Sequence, residues 1–260
     1  DNGTVITADD LPKTTTSTDL IYVSTSDTAT SDSFTFIVND GTVDSEAATI
    51  SLAITAVNDV PVATAQTDVA ATEQTEFTIT LAGTDPDGTI PVIFKIISLP
   101  SDGTLSDDGT VITADDLPLT LSNASGEVTY ISTSDTAASD SFTFKVNDGT
   151  VDSEAATIGI AIATVNDVPV ASAQTDVAAT EQTALTLTLA GADLDNDTLS
   201  YVIQTLPTIG TLSDNGTVIT ADDLPKTTTS TDLIYVSTSD TATSDSFTFI
   251  VNDGTVDSEA

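Results

Sequence analysis

Residues 1–47 of this chain recur without a single change as residues 214–260. A diverged copy of the same unit lies between them. Val38-Asn39-Asp40-Gly41 returns as Val146-Asn147-Asp148-Gly149, 108 positions on, and as Val251-Asn252-Asp253-Gly254, 105 further. Val57-Asn58-Asp59-Val60-Pro61 returns as Val165-Asn166-Asp167-Val168-Pro169, again 108 on. The unit is thus 105–108 residues, and two alternating versions make a super-repeat of 213. Such a pattern describes like domains joined end to end, and we expect the 260 residues to be a window on a longer array.

The pattern inside one unit sets the fold class. Phe142, Phe144 and Val146 alternate with polar neighbours, the period of a half-buried strand. Asn147-Asp148-Gly149 is a turn, because glycine tolerates positive φ and Asn and Asp side chains bond to nearby backbone. Ile158, Ile160 and Ile162 resume the alternation, and Pro169, which cannot donate to a ladder, favours an extended connector. Upstream, strands are expected near residues 68–72, 77–81, 91–97, 103–105, 110–112 and 127–131, with one helical turn over 114–118. No helical period runs for three turns. The expected fold is all-β, a linear array of tandem immunoglobulin/cadherin-like β-sandwich domains. Residues 1–56 read as the C-terminal half of one unit, 57–164 as a complete unit, and 165–260 as a unit cut off before its last strand. The third unit should therefore expose an unpaired edge.

Charge excludes whole classes of partner. The chain carries 41 Asp and Glu against 4 Lys and Arg, a formal charge of −37, with no His. Phosphate binding needs a basic surface, so nucleic acid is not a partner, nor is an anionic membrane surface. No apolar run approaches the roughly 20 residues of a membrane helix. Acidity with 5% aromatics can signal disorder, but 39% of residues are apolar and fall on strand-period positions. The charge is then either solvated surface or a set of ligands for a hard cation. Cysteine is absent, which removes thiolate metal sites and thiol catalysis.

Three acidic features recur. One is the loop after the second strand, Asp85 and Asp87 in one unit and Asp193, Asp195 and Asp197 in the next. Another is the hairpin turn, Asp40, Asp148 and Asp253, and the third is the linker, Asn58-Asp59 and Asn166-Asp167. In an up-and-down sandwich all three meet at the junction between successive domains. Carboxylates within a few ångströms repel by about 1 kcal/mol or more per pair. A calcium ion, which takes 6–8 oxygen ligands, removes that cost, and magnesium suits the site less well. The alternative is that each motif is a turn and nothing more. Asp193-Leu194-Asp195-Asn196-Asp197 also begins like an EF-hand loop, but Thr198 and Gln204 stand where Gly and Glu would be required.

The VNDG turn, VNDVP linker and DPDG or DLDND loop resemble bacterial cadherin-like tandem repeats of the VCBS or immunoglobulin-like type. The resemblance covers the whole chain through its repeats. It implies a large surface adhesin or biofilm protein, on the bacterial cell surface, exported by type I secretion. It also implies calcium at each junction, held by Asn58, Asp59, Asp85, Asp87 and Asp148 at one and by Asn166, Asp167, Asp193, Asp195, Asp197 and Asp253 at the next. Acidic residues of the preceding domain would complete each set: Glu73 and Asp140 at the second junction, Asp32 at the first. A solvated surface role is the alternative for Glu73 and Asp140. The linker carries fewer acids than a cadherin linker, which implies fewer ions per junction.

No catalytic constellation emerges. There is no His to serve as base, no Gly-rich loop followed by Lys, and no apolar cleft with aromatic platforms around paired carboxylates. Lys13, Lys95, Lys145 and Lys226 raise the question of isopeptide crosslinks, but Lys145 alternates with core Phe144 and Val146 and should face outward. Asn2, Asn123 and Asn215 open short glycosylation patterns. The expected role is a non-enzymatic structural module of an extracellular adhesin or surface fibre, a spacer stiffened by calcium. Its partners would be neighbouring repeats of the same chain. The alternatives are copies of itself in a self-assembling filament or sheath, or repeats that bind cell-surface or matrix glycans or protein.

Overall fold

The computed structural model describes residues 4–15, 17–88 and 92–260. The first unit contributes an antiparallel pair, β1 (Ser31–Phe36) and β2 (Ala48–Ala53). The central unit runs β3 (Val62–Thr64), β4 (Gln66–Thr72), β5 (Phe77–Thr80), β6 (Ala82–Thr84), β7 (Ile93–Ser98), β8 (Gly103–Asp107), β9 (Thr110–Val111), β10 (Leu119–Thr120), β11 (Glu127–Ser132), β12 (Ser139–Asn147) and β13 (Ala156–Ala163). The third unit runs β14 (Val170–Ala171), β15 (Leu185–Thr188), β16 (Gly191–Ala192), β17 (Ser200–Ile203), β18 (Gly210–Asp214), β19 (Thr217–Val218), β20 (Lys226–Thr227), β21 (Asp232–Ser237) and β22 (Phe249–Asn252).

The central unit is a sandwich of a five-stranded sheet, β10-β7-β12-β13-β4, over a four-stranded sheet, β5-β11-β8-β9. The short β3–β6 ladder sits beside them. The inner face follows from the period-two pattern. Phe142, Phe144 and Val146 point inward from β12 and Ile158, Ile160 and Ile162 from β13, against Ile79, Leu105, Val128 and Tyr130 of the other sheet. Phe94 and Phe144 meet with ring centroids 6.4 Å apart in a tilted arrangement. Lys145, as its register demands, lies on the outer face, where it is the cross-strand neighbour of Lys95. Lys95 Nζ pairs with Asp152 Oδ1 at 2.6 Å.

Three of the expected local elements differ in detail, and β3 and β10 come in addition to the expected strands. The expected 77–81 strand breaks at Leu81, whose N–H bonds Gly126 O, and the chain resumes as β6 to pair with β3. The expected 91–97 strand is β7, Ile93–Ser98; Pro91 falls outside the described residues. The helical turn is a single 3-10 turn, Ala114–Asp116. Asp116 Oδ2 closes it by accepting Thr113 N–H at 2.8 Å and Thr113 Oγ1–H at 2.6 Å. The same turn recurs at Ala8–Asp10 and Ala221–Asp223.

A tyrosine–carboxylate pair recurs in every unit and is buried in the central one. Tyr130, wholly buried, donates its hydroxyl to Asp140 Oδ2 at 3.1 Å. Asp140 also accepts the N–H groups of Ser101 (2.9 Å), Asp102 (3.0 Å) and Ser141 (2.8 Å). The loop before β8 is thereby tied to β11 and β12. Gly103 makes room for the ring, since a Cβ there would lie 2.4 Å from Tyr130 Cε2. Tyr235 with Asp245 and Tyr22 with Asp32 repeat the hydroxyl–carboxylate bond, each at 2.9 Å.

The third unit tests what the last strand does. Its sheets are β15-β21-β18-β19 and β20-β17-β22, with a smaller core around Leu189, Ile203, Leu212 and Leu233. It has no counterpart of β13 among the described residues. Other elements differ from the central unit as well. Residues 174–180, which correspond to β4, join no ladder, and β22 is four residues where β12 is nine. In the central unit β4 runs parallel to β13, and the first half of β12 is also paired with β13. Among the described residues no helix is long and apolar enough to cross a membrane.

Candidate cation site at the unit junctions

Each junction is assembled from a linker, a loop and a hairpin turn. At the first, Asn58 Nδ2 donates to Asp148 Oδ2 at 2.8 Å and to Asp59 O at 3.0 Å. Asp59 N–H donates to Asp87 Oδ2 at 2.8 Å, and Asp87 N–H to Asp85 Oδ1 at 2.8 Å. The second repeats the linker bonds and differs within the loop. Asn166 Nδ2 reaches Asp253 Oδ2 at 2.8 Å and Asp167 O at 2.9 Å. Asp167 N–H reaches Asp195 Oδ2 at 2.7 Å, and Asp197 N–H reaches Asp193 Oδ1 at 3.1 Å. The three acidic features singled out in the sequence thus converge at both junctions.

Within that convergence the carboxylates divide into two kinds. Asp148 and Asp253 are buried and saturated by protein donors. Oδ1 of Asp148 takes the N–H groups of Thr150 and Val151 at 2.6 and 2.7 Å, while its Oδ2 takes the Asn58 amide. Asp253 does the same with Thr255, Val256 and Asn166. The Val151 amide and the Asn58 side chain hold Asp148 below the ordinary carboxylate range; the Asn166 side chain and the Val256 amide do so for Asp253. These residues orient the linker.

The second kind is clustered, and several of its members keep an oxygen that no protein donor satisfies. Glu73, Asp167 and Asp195 each offer a carboxylate oxygen such that all three lie within 4.8 Å of one another. They come from three places: the end of β4 in the central unit, the linker, and the acidic loop of the third unit. Glu73 is 2% exposed, and its Oε2 has no hydrogen-bond partner. Asp167 Oδ2 and Asp193 Oδ2 are likewise buried and unpartnered, as is Asp85 Oδ2 at the first junction. Desolvation, reinforced by Asp135, Asp195 and Asp193, pushes the Asp167 carboxyl above its ordinary value of 3.8. Asp193, Asp195 and Asp197 form a second group within 4.8 Å, sharing Asp195 with the first.

Buried, unpaired carboxylate oxygens are costly unless a cation or proton satisfies them. An oxygen-only donor set of carboxylates is the chemistry of a hard divalent ion and fits calcium, which accepts irregular geometry. Glu73, Asp167, Asp193, Asp195 and Asp197 could hold it.

Asp140 and Asp32 are placed elsewhere, in the tyrosine–carboxylate pairs described above. Neither belongs to a carboxylate cluster among the described residues. Their oxygens serve backbone amides and a tyrosine hydroxyl, so the expectation that they complete the junction set has no geometry behind it. One residue was missed. Asp135 lines a cleft with Thr136, Thr164, Asn166, Asp195 and Asp197 and bears on Asp167 electrostatically. Gln74 Nε2 positions it at 2.8 Å. The signal was present, since Ser-Asp-Thr recurs at 26–28, 134–136 and 239–241. Asn123, one of the glycosylation patterns, is engaged: its amide donates to Asp107 Oδ1 and Glu127 O.

Comparison with known proteins gives the lineage. "Integrin beta-like protein A" of Dictyostelium discoideum is 29% identical over 187 residues, 68% of this chain and 10% of its own length. The chain therefore spans about a tenth of that relative. Among solved structures, protocadherin gamma B2 extracellular cadherin domains 3–6 share 18% identity over 82% of this chain and 52% of theirs, at a TM-score of 0.44. The human desmocollin-1 ectodomain shares 12% over 82% and 42%, at 0.40. The bacterial Ig domain model matches twice, over residues 58–161 and 166–260, one match to each of the two repeats bounded by the acidic junctions, and the chain belongs to that family.

Proposed function

We propose that this chain is a structural spacer in an extracellular bacterial surface protein, with calcium setting the angle and stiffness of each junction. The observation that supports it is the meeting of Glu73, Asp167 and Asp195 from three separate elements within 4.8 Å, with buried carboxylate oxygens that no protein donor satisfies. Without a cation the cluster repels itself, and the two units are driven to separate about the linker. With calcium the same oxygens become ligands, and one ion joins the end of one domain, the linker and the start of the next.

The remaining residues fit a load-bearing role. Asn58 and Asn166 tie each linker to the hairpin turn below it, so the linker path is set before any ion arrives. Extracellular calcium sites commonly bind at about 10⁻⁴–10⁻³ M, matching the free ion outside cells. Free calcium at ten times Kd adds about 1.4 kcal/mol of stability per site by mass action.

The test is calcium titration of the full chain, followed by small-angle scattering and thermal melting, beside Glu73→Gln and Asp167→Asn. Calcium should lengthen the maximum dimension and raise Tm, and both responses should shrink in the variants. A wild-type chain that ignores millimolar calcium would overturn the proposal.

A further inference from the structure

The outer face of the central unit's five-stranded sheet carries a cationic cleft. Lys95 of β7 and Lys145 of β12 are direct cross-strand partners, and Thr120 of β10 pairs with Lys95 on its other side. A bulge opposite Thr143 and Phe144 leaves Ile97 without a partner in register. Ile97, Leu117 and Pro118 line the same cleft as the two lysines, and its volume is about 490 Å³.

Two of the chain's four basic residues thus stand opposite each other in a molecule with 41 acids. Like charges directly opposite across a ladder destabilise it. One acid, Asp152, compensates in part. Its Oδ1 pairs with Lys95 Nζ at 2.6 Å and accepts the Asn147 side-chain amide. Lys95, and then Asn147, hold the Asp152 carboxyl below its ordinary value of 3.8, so this acid is already engaged. Lys145 has no ion pair among the described residues. The fold does not require the two lysines. In the third unit the same three register positions hold Val202, Ile250 and Thr227, and Asp257 still accepts the Asn252 amide.

We propose that this cleft binds a uronic acid residue of an acidic polysaccharide. Lys145 and Lys95 donate charge-assisted hydrogen bonds to the sugar carboxylate, with Lys95 shared between the ligand and Asp152. Thr120 and Asp152 meet the ring hydroxyls, and Ile97, Leu117 and Pro118 take the C–H face of the ring. The volume suits a small ligand, and the position on an outer sheet face lets a polymer run through. A neutral sugar would leave Lys145 without a counter-charge. The chain's charge of −37 does not prevent binding, since salt at physiological strength screens distant acids over about 8 Å. The cleft uses no junction residue and stands apart from the calcium reading. An array of alternating units would present one such cleft per 213 residues, so a long polysaccharide would engage several weak sites at once.

The test uses the full chain in chelator, so that no junction cation contributes. A short oligomer of galacturonic acid is titrated by calorimetry and by NMR, beside the neutral galactose oligomer. Lys145→Ile and Lys95→Val install the residues that the third unit carries at those register positions, so strand pairing is kept. Lys145→Arg retains the charge. The expected result is saturable binding of the acidic oligomer, with shifts centred on Lys95, Thr120 and Lys145. Either charge-removing variant should weaken it on the order of tenfold, as should loss of the sugar carboxylate, while Lys145→Arg keeps it. Equal affinity for the two oligomers, or unchanged affinity in both charge-removing variants, overturns the proposal. Acetate or polyglutamate binding as tightly as the oligomer overturns the sugar assignment. Shifts at the same residues that follow protein concentration without any sugar assign the cleft to a second copy of the chain, and overturn it too.

Discussion

Replacing Asp140 with alanine separates the two roles a carboxylate plays in this chain. Asp140 accepts five hydrogen bonds, from the amides of Ser101, Asp102 and Ser141 and from the hydroxyls of Ser101 and Tyr130. Tyr130 is fully buried, so its hydroxyl has no water to turn to once the carboxylate is gone. A hydrogen bond to a charged group contributes about 1.5–3 kcal/mol, and the tyrosine bond belongs near the middle of that range. The Ser101 and Asp102 amides lie in a partly exposed loop, recover water, and add roughly 0.5–1 kcal/mol each. The sum is about 3–4 kcal/mol, a large share of the 5–15 kcal/mol that holds a typical domain together. Tyr130→Phe keeps the ring and should cost about 1.5–2 kcal/mol, and the double variant should show a coupling of about 1–2 kcal/mol. Hydrogen exchange in urea, read on peptides from β8, β11 and β12, assigns the loss to the central unit. The loss should be the same in chelator and in calcium. A cost below about 1 kcal/mol, or one seen only with calcium, would refute the anchoring role and return Asp140 to the candidate ligands.

Four further outcomes follow from the same geometry. Glu73→Gln should weaken calcium binding yet leave the chain no less stable in chelator, because it removes one charge from a mutually repelling cluster; melting in the two conditions reads both effects. Gly103→Ala should destabilise the central unit by about 1–3 kcal/mol or more, since its Cβ would meet the Tyr130 ring, and Gly210→Ala should do the same to the third unit through Tyr235. Asp148 is held below its ordinary value of 3.8, so its contribution is present above that value and is lost as pH falls through its lower folded value. The urea midpoint in chelator should therefore drop as pH falls below about 4, and the drop should flatten in Asp148→Asn. Asn166→Ala should leave each unit's core intact but loosen the linker, seen as faster exchange at Asp167 and a broader scattering distribution even in calcium.

The fold class was legible from residue order alone, because strand pairing forces side chains onto alternate faces. Phe142, Phe144, Val146 and the three isoleucines of β13 announced their inward face before any partner was known. The repeat likewise fixed which acidic features must recur together, and their meeting at the junction followed from strands that run up and down. Which carboxylate does what was not legible, because local sequence does not say where donors from distant segments arrive. Asp140 and Asp167 both look like acids beside a strand. Tertiary structure brings three amides and a tyrosine hydroxyl to the first, and two further carboxylates, including Glu73 from the preceding unit, to the second. The last strand carries the same lesson. That β4 pairs in parallel with β13 is a property of a ladder closed across nearly a hundred residues, and only the assembled sheet could reveal it.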